Sequence, residues 1–205
     1  MLNIKISLFA TCMIFLSGVG TAQSVKLWTP ADRQYLIDNL QRTKNETIRA
    51  TENLTAAQWD FKPAPDKWSI GQVLEHLGLY ERIFEQEADI MLSTPPEPNL
   101  YKTAYADSVY INWMNDPAAH KAEKNATPLG LMKGKDNLTF FLFGRESILS
   151  FVQNTRCDLK AHYTFRWGDE KRRSIHSLMV IHFAHTDRHL KQIERIKKSA
   201  DFPNH

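Results

Sequence analysis

Three histidines near the C-terminus share one face of a predicted helix. His182, His185 and His189 lie three and four residues apart, so at about 100° per residue they occupy one narrow stripe. The stripe interrupts an apolar seam of heptad period that has Ile175 and Ile196 at its two ends. A buried polar group without a partner costs about 1–3 kcal/mol. Either a bound metal ion partners these imidazoles, or they are core histidines satisfied by hydrogen bonds or water.

Helical spacing limits which histidines can share an ion. Residues four apart lie on one face about one turn apart, so His185 and His189 can both reach an ion about 2.0–2.1 Å from each ring nitrogen. His182 is about 10.5 Å from His189 along the axis, too far for all three to share one ion. A third ligand should come from another predicted helix, where His76 is the only histidine. Three neutral imidazoles plus water form a catalytic zinc-type shell, and nickel, iron or manganese also fit this ligand set.

Neighbouring residues supply further candidates for catalysis. Tyr80, one turn from the histidine on the other helix, is a candidate proton donor, with a packing role as the alternative. His182 and Gln192 are candidates to support the metal ligands or to polarise a substrate. Thr186 follows the first histidine of the pair. The pair is therefore not the zinc-protease motif, in which a glutamate at that position is the general base.

Helical periodicity and capping residues predict an all-α fold. Thr29 and Pro30 mark the start of the first helix, and Ser69 with Gln72 forms a capping box at the start of the second. In chain order, the predicted helices cover residues 30 to about 53, 70 to about 91, 137 to about 154, and 172 to about 198. Four helices of this length predict a bundle with the histidines in its core.

The segments between these helices are harder to interpret. Residues 93–134 show no sustained period and predict a long irregular loop, which is typical of a lid or a binding surface. Trp59, Phe61 and Trp68 precede the second helix and either cap one end of the bundle or form the wall of a pocket. Residues 158–167 alternate in polarity and predict a short extended segment.

Two short motifs carry a resemblance to a known family. The first is Trp68-Ser69-Ile70 followed by Leu74-Glu75-His76-Leu77, and the second is His185 and His189 followed by Gln192-Ile193. Together they resemble the DinB-like superfamily of four-helix bundles, over about residues 32–198. The resemblance implies an up-down-down-up bundle with a divalent-metal site formed by His76, His185 and His189, and frequently a homodimer. Members of this superfamily include thiol-dependent S-transferases and a mycothiol-dependent isomerase.

The N-terminus has the pattern of a secretory signal peptide. Residues 1–5 form a short n-region made basic by Lys5, residues 6–19 are mostly apolar without charge, and Gly20-Thr21-Ala22 supplies small residues for cleavage. We therefore expect residues 1–22 to be removed and residues 23–205 to form one exported domain, periplasmic or extracellular. A retained N-terminal anchor is the alternative.

Charge and cysteine content narrow the classes of function. The formal net charge is +3, from 26 basic and 23 acidic residues, which does not indicate a nucleic-acid-binding protein. After cleavage we expect no stable membrane insertion. Cys157 is the single cysteine of the exported domain, so an internal disulfide is excluded.

Two functional hypotheses follow. The first is a metal-dependent transferase or hydrolase that acts on a small molecule through a water or thiol activated by zinc or nickel. The second is a non-catalytic stress or binding protein in which the metal or the polar layer is structural. An open coordination position would favour the enzyme.

Overall fold

Long helices dominate the computed structural model, which describes residues 26–118, 121–164 and 172–204. The predicted signal peptide lies outside the described residues, as does the last part of the predicted extended segment. The helices are α1 (Pro30–Thr51), α2 (Ala56–Asp60), α3 (Ile70–Leu92), α4 (Asp107–Asn115), α5 (Lys135–Asn154) and α6 (Ile175–Lys197). The predicted all-α class is confirmed.

Capping side chains set where the long helices begin. Ser69 and Gln72 form the predicted capping box at α3, each accepting the other's backbone N–H at 3.2 Å. At α6, the Ser174 hydroxyl accepts the backbone N–H of Ser177. This cap starts α6 at Ile175, three residues later than periodicity indicated.

The four long helices form a ring in which α1 and α3 each pack between α5 and α6. Two glycines bring α3 and α5 close together. A Cβ atom on Gly78 would lie 2.3 Å from Cδ1 of Phe140, and one on Gly144 would lie 2.4 Å from Cβ of Glu81. Side chains at these positions would force the two helices apart.

The core consists of two apolar clusters, and polar residues lie between them along α3 and α6. The first cluster includes Phe84 and Met91 on α3 and Leu178 on α6. The second includes Leu77 on α3 and Ile193 on α6. The buried polar residues of the intervening layer are His76, Glu81, Arg145, His182, His185, Thr186 and His189.

Arg145 is the centre of this layer and is fully buried. Its Nε and Nη2 atoms donate to the Glu81 carboxylate, with Nη2 to Oε1 at 2.7 Å. Its remaining protons go to the Leu40 carbonyl (3.0 Å), Thr43 Oγ1 (2.7 Å) and Thr186 Oγ1 (2.9 Å). All five guanidinium donors are therefore used, and one side chain connects α1, α3, α5 and α6.

The segment predicted as a long irregular loop contains α4, which packs against α6. Arg188 of α6 donates to the backbone carbonyls of Met114 (3.1 Å), Asp116 and Ala118 (2.7 Å). These bonds fix the C-terminal end of α4 to α6. Among the described residues, no helix has the length and apolar character needed to cross a membrane.

Part of the predicted extended segment forms a short backbone pairing instead of a strand. Tyr163 makes an isolated antiparallel bridge with Ser174. Thr164 N donates to the Arg173 carbonyl at 2.9 Å, and Ile175 N donates to the His162 carbonyl at 3.1 Å. This pairing attaches residues 162–164 to the segment 173–175, where α6 begins.

The Arg145 network predicts a large loss of stability for Arg145→Met. The change leaves the Glu81 carboxylate buried without its main partner, which costs about 3–5 kcal/mol. Urea unfolding should show this loss, and Arg145→Met/Glu81→Leu should recover part of it. As a matched control, Arg42→Met breaks an exposed pair with Asp187 and should cost under about 1 kcal/mol. Equal losses for the two single variants would contradict the assignment.

Candidate metal centre

The structure brings His76 of α3 together with His185 and His189 of α6. The Nε2 atom of His185 lies 3.3 Å from Nε2 of His76 and 3.0 Å from Nε2 of His189. In the part of the chain that the structure describes, this is the cluster with metal-ligand geometry, its ligand atoms all within 4.8 Å of one another. The sequence had placed His76 on the flank of its helix, whereas it is 3% exposed. The cause is that α6 and the loop that carries Ala126 cover this side of α3.

Hydrogen bonds fix the protonation of two of the three rings. His76 Nδ1 lies 2.7 Å from the Ala126 carbonyl, and His189 Nδ1 lies 2.8 Å from Oε1 of Gln192. Carbonyl and amide oxygens only accept, so each Nδ1 carries the proton and each Nε2 has a lone pair. Both lone pairs point toward Nε2 of His185.

This arrangement fits a cation better than it fits three histidines alone. A proton on Nε2 of His185 can satisfy only one of the two facing lone pairs. Nδ1 of His185 is buried and has no hydrogen-bond partner among the described residues. Nitrogens about 2.0–2.1 Å from a tetrahedral zinc ion lie roughly 3.3 Å apart, close to the distances found here. A divalent metal suits this donor set.

Burial keeps the imidazoles neutral, as metal ligands must be. It lowers the pKa of His76 to about 4, although the hydrogen bond to Ala126 opposes the shift. Burial and then the neighbouring His76 lower the pKa of His189 to about 3. Burial, with His189 and His76 close by, holds the pKa of His185 well below its ordinary value.

A cavity of about 770 Å³ opens onto the three histidines. Trp68 forms one wall, with its ring centroid 4.8 Å from His76 and 6.4 Å from His189. Of the two roles predicted for the aromatic connector, Trp68 therefore has the pocket role. Trp59 is buried in the core, and Phe61 packs on the C-terminal segment. Further lining residues are Tyr80, Trp113, Met114, Pro117, Gln192 and Ile196, with Asp66, Lys67, Lys121, Glu123, Arg188 and Arg195 supplying charge.

The three residues predicted to assist catalysis have different positions. Tyr80 lines the cavity, and its ring centroid is 4.8 Å from that of His76 and 4.6 Å from that of His185. Gln192 also lines the cavity and contacts a candidate ligand. His182 is instead directed at Glu81, with Nε2 2.9 Å from Oε1, so it belongs to the Arg145 network. A catalytic role for it stays a prediction.

The Glu81–Arg145 pair was missed at the level of the sequence, although a signal existed. Glu81 lies four residues after Leu77 and three before Phe84, so it completes the inward stripe of α3. Arg145 has the same spacing within the inward stripe of α5. Burial alone would raise the pKa of Glu81, but Arg145 and His182 outweigh it and hold the pKa below its ordinary value.

Comparisons with known proteins agree with this fold. A family model described as the DinB superfamily matches residues 39–193. A solved structure, described as "YfiT from Bacillus subtilis is a probable metal-dependent hydrolase with an unusual four-helix bundle topology", superposes with a TM-score of 0.57 at 13% identity. The match covers 85% of this chain and 91% of that one, and it confirms the predicted four-helix-bundle fold. No curated protein matches the sequence.

The low histidine pKa values predict that acid destabilises the metal-free protein. The unfolded chain binds protons at its histidines near pH 6.5, whereas folded His76 and His189 do so only near pH 4 and 3. The free energy of unfolding should therefore fall as the pH drops below about 6.5, by at most roughly 1.4 kcal/mol per pH unit for each such histidine. Urea unfolding at pH 7 and pH 5, with a chelator present, measures this loss.

The matched variant is His189→Gln, which should lose less stability than wild type over this interval because it removes one of the histidines whose pKa is lowered. Equal stability of the wild type at pH 7 and pH 5 would contradict the prediction.

Proposed function

The chain belongs to the DinB superfamily, and we propose that it is a metal-dependent transferase or hydrolase that acts on a small molecule. In this proposal His76, His185 and His189 hold a divalent ion, with zinc or nickel the best candidates. The observation that carries the proposal is the pair of Nε2 lone pairs, fixed by Ala126 and Gln192, that face His185 Nε2 at 3.3 and 3.0 Å. The solved relative YfiT, described as a probable metal-dependent hydrolase, supports the same chemistry.

Each residue of the site has a task in this mechanism. A divalent ion held by His76, His185 and His189 would lower the pKa of a water or of a substrate thiol and so supply a nucleophile near neutral pH. The Ala126 carbonyl and Gln192 keep the protons of two imidazoles on Nδ1 and so orient Nε2. Trp68 and Trp113 line the cavity and exclude water from the substrate. We assign to the Tyr80 hydroxyl the transfer of a proton to the leaving group.

The lining of the cavity favours a planar, negatively charged substrate. Lys67, Lys121, Arg188 and Arg195 outnumber Asp66 and Glu123. Asp66 lies 3.0 Å from the ammonium of Lys67, so this pair adds little net field. Three neutral imidazoles leave the charge of the ion uncompensated, which adds to the attraction for anions. The indole rings of the wall supply flat apolar surfaces on which a planar group can stack.

The proposal includes two predictions that rest on the sequence alone. These are export to the periplasm or the extracellular space after cleavage of residues 1–22, and assembly as a homodimer. Fractionation of cells that express the full chain tests the first, and light scattering of the purified domain tests the second. Neither result bears on the metal site.

Metal content tests the site directly. Protein purified without a tag should contain about one divalent ion per chain by elemental analysis. His185→Ala and His189→Ala should lose at least about nine-tenths of it, because two imidazoles bind far more weakly than three. His162→Ala, outside the cavity, should keep it. Equal metal content in wild type and His185→Ala would remove the proposed site and leave the non-catalytic binding protein as the better hypothesis.

Ligand binding tests the substrate class. In calorimetry on the metal-loaded protein, 2-naphthoate should bind about tenfold or more tightly than 2-naphthamide, its neutral analogue of nearly the same shape. Arg195→Gln and Lys121→Gln should reduce this preference by weakening the field in the cavity. Lys102→Gln makes the same charge change at a residue that does not line the cavity and should leave the preference intact. Equal affinities of the wild type for both compounds would contradict the proposed class.

A further inference from the structure

Glu75 is a buried carboxylate next to His76 in the sequence, and its hydrogen bonds run to the loop before α5. The residue is 4% exposed, and a buried carboxylate requires compensating donors. Oε1 accepts the backbone N–H of Leu129 at 3.1 Å, and Oε2 accepts that of Gly130 at 2.7 Å. The carboxylate thus holds two consecutive peptide groups of the loop.

The same loop supplies the carbonyl that fixes the His76 ring. Ala126 lies three residues before the first of these amides, at the end of a 3₁₀ turn formed by Lys124–Ala126, and it is fully buried. Pro128 restricts the backbone between the two anchor points. Gly130 has a φ of +71°, a left-handed conformation that glycine adopts at little cost. The connection from the carboxylate to the Ala126 carbonyl is therefore short and stiff.

We propose that Glu75 is a positioning residue for the metal ligand His76 and that it acts through this loop. By holding the amides of residues 129 and 130, the carboxylate keeps the Ala126 carbonyl 2.7 Å from Nδ1 of His76. That contact keeps the imidazole proton on Nδ1 and directs the Nε2 lone pair at His185. The inference rests on the proposed function because it takes His76 as a ligand.

The geometry of α3 explains why the effect is indirect. Consecutive residues of a helix point about 100° apart, so the carboxylate and the imidazole reach the loop in different directions. Glu75 contacts the loop at residues 129 and 130, and His76 contacts it at residue 126. The loop is therefore attached to α3 at two separate points. The loss of either contact frees the other to shift. Partners of this kind typically affect metal affinity by 10–100-fold.

The test is the zinc affinity of Glu75→Gln, measured by calorimetry against a competing chelator. Glutamine keeps one acceptor oxygen but turns an NH₂ group toward the second backbone N–H, so the loop should move and the Kd should rise about 10–100-fold. Glu85→Gln is the matched control, since it makes the same change on the same helix, where the side chain contacts Ser147. Its Kd should stay within about twofold of wild type.

A second variant acts from the side of the loop. Gly130→Ala places a side chain where φ is +71° and where the nearest atom to the new Cβ, Nε2 of Gln72, is 3.9 Å away. Backbone strain, with no collision, should therefore loosen the anchor, and the Kd should rise in the same direction. Urea unfolding identifies the conditions in which each variant is folded, and affinities are measured there.

A double-mutant cycle separates this inference from the proposed function. In a His76→Ala background, Glu75→Gln should not weaken zinc binding further, because its route to the metal is gone. If His76→Ala alone leaves the Kd unchanged, the proposed site is wrong. If His76→Ala weakens binding but folded Glu75→Gln and Gly130→Ala keep the wild-type Kd, only the positioning role is overturned. The positioning role is also overturned if Glu75→Gln weakens zinc binding equally in the wild-type and His76→Ala backgrounds.

Discussion

The buried ion pair between Arg145 and Glu81 is the constraint on which the rest of the bundle depends. Both side chains are fully removed from solvent, so the pair tolerates only an arrangement in which every donor and acceptor is used. That arrangement includes carbonyl and hydroxyl oxygens of α1 and α6 as well as the carboxylate of α3. A sliding of any one helix by a turn would break at least one of these bonds. The pair therefore fixes the axial position of each helix relative to the others.

The Arg145–Glu81 pair also determines how the histidine cluster is arranged. His76 precedes Glu81 by five residues on α3, and His185 precedes Thr186 by one residue on α6. Once Arg145 has set the carboxylate against the threonine hydroxyl, the imidazoles of the two helices must lie at one level. Placing the histidines on rigid helices, with outer hydrogen bonds that orient the rings of His76 and His189, gives a more accurate site than loops alone provide. Both kinds of support occur here.

The sequence predicted the parts of this structure that periodicity controls. The spacing of His185 and His189 put them on one face, the capping box located the start of α3, and the lack of another helical histidine selected His76. The features that could not be predicted from the sequence depend on contacts between residues far apart in the chain. Glu81 and Arg145 are charged residues of the kind that usually face solvent, and only their mutual contact makes burial affordable. Phe143 of α5 is the reverse case, since its side chain is apolar but 69% exposed.

The attachment of α4 has a consequence for how this fold can diversify. Arg188 holds the end of α4 through the backbone oxygens of Met114, Asp116 and Ala118, and a carbonyl oxygen is the same whichever side chain its residue carries. The wall that α4 contributes can thus exchange side chains while its anchorage persists. Selection can then change the wall formed by α4 without changing His76, His185 and His189 on α3 and α6. The same three histidines can then face a different cavity wall when the side chains of this nine-residue helix change.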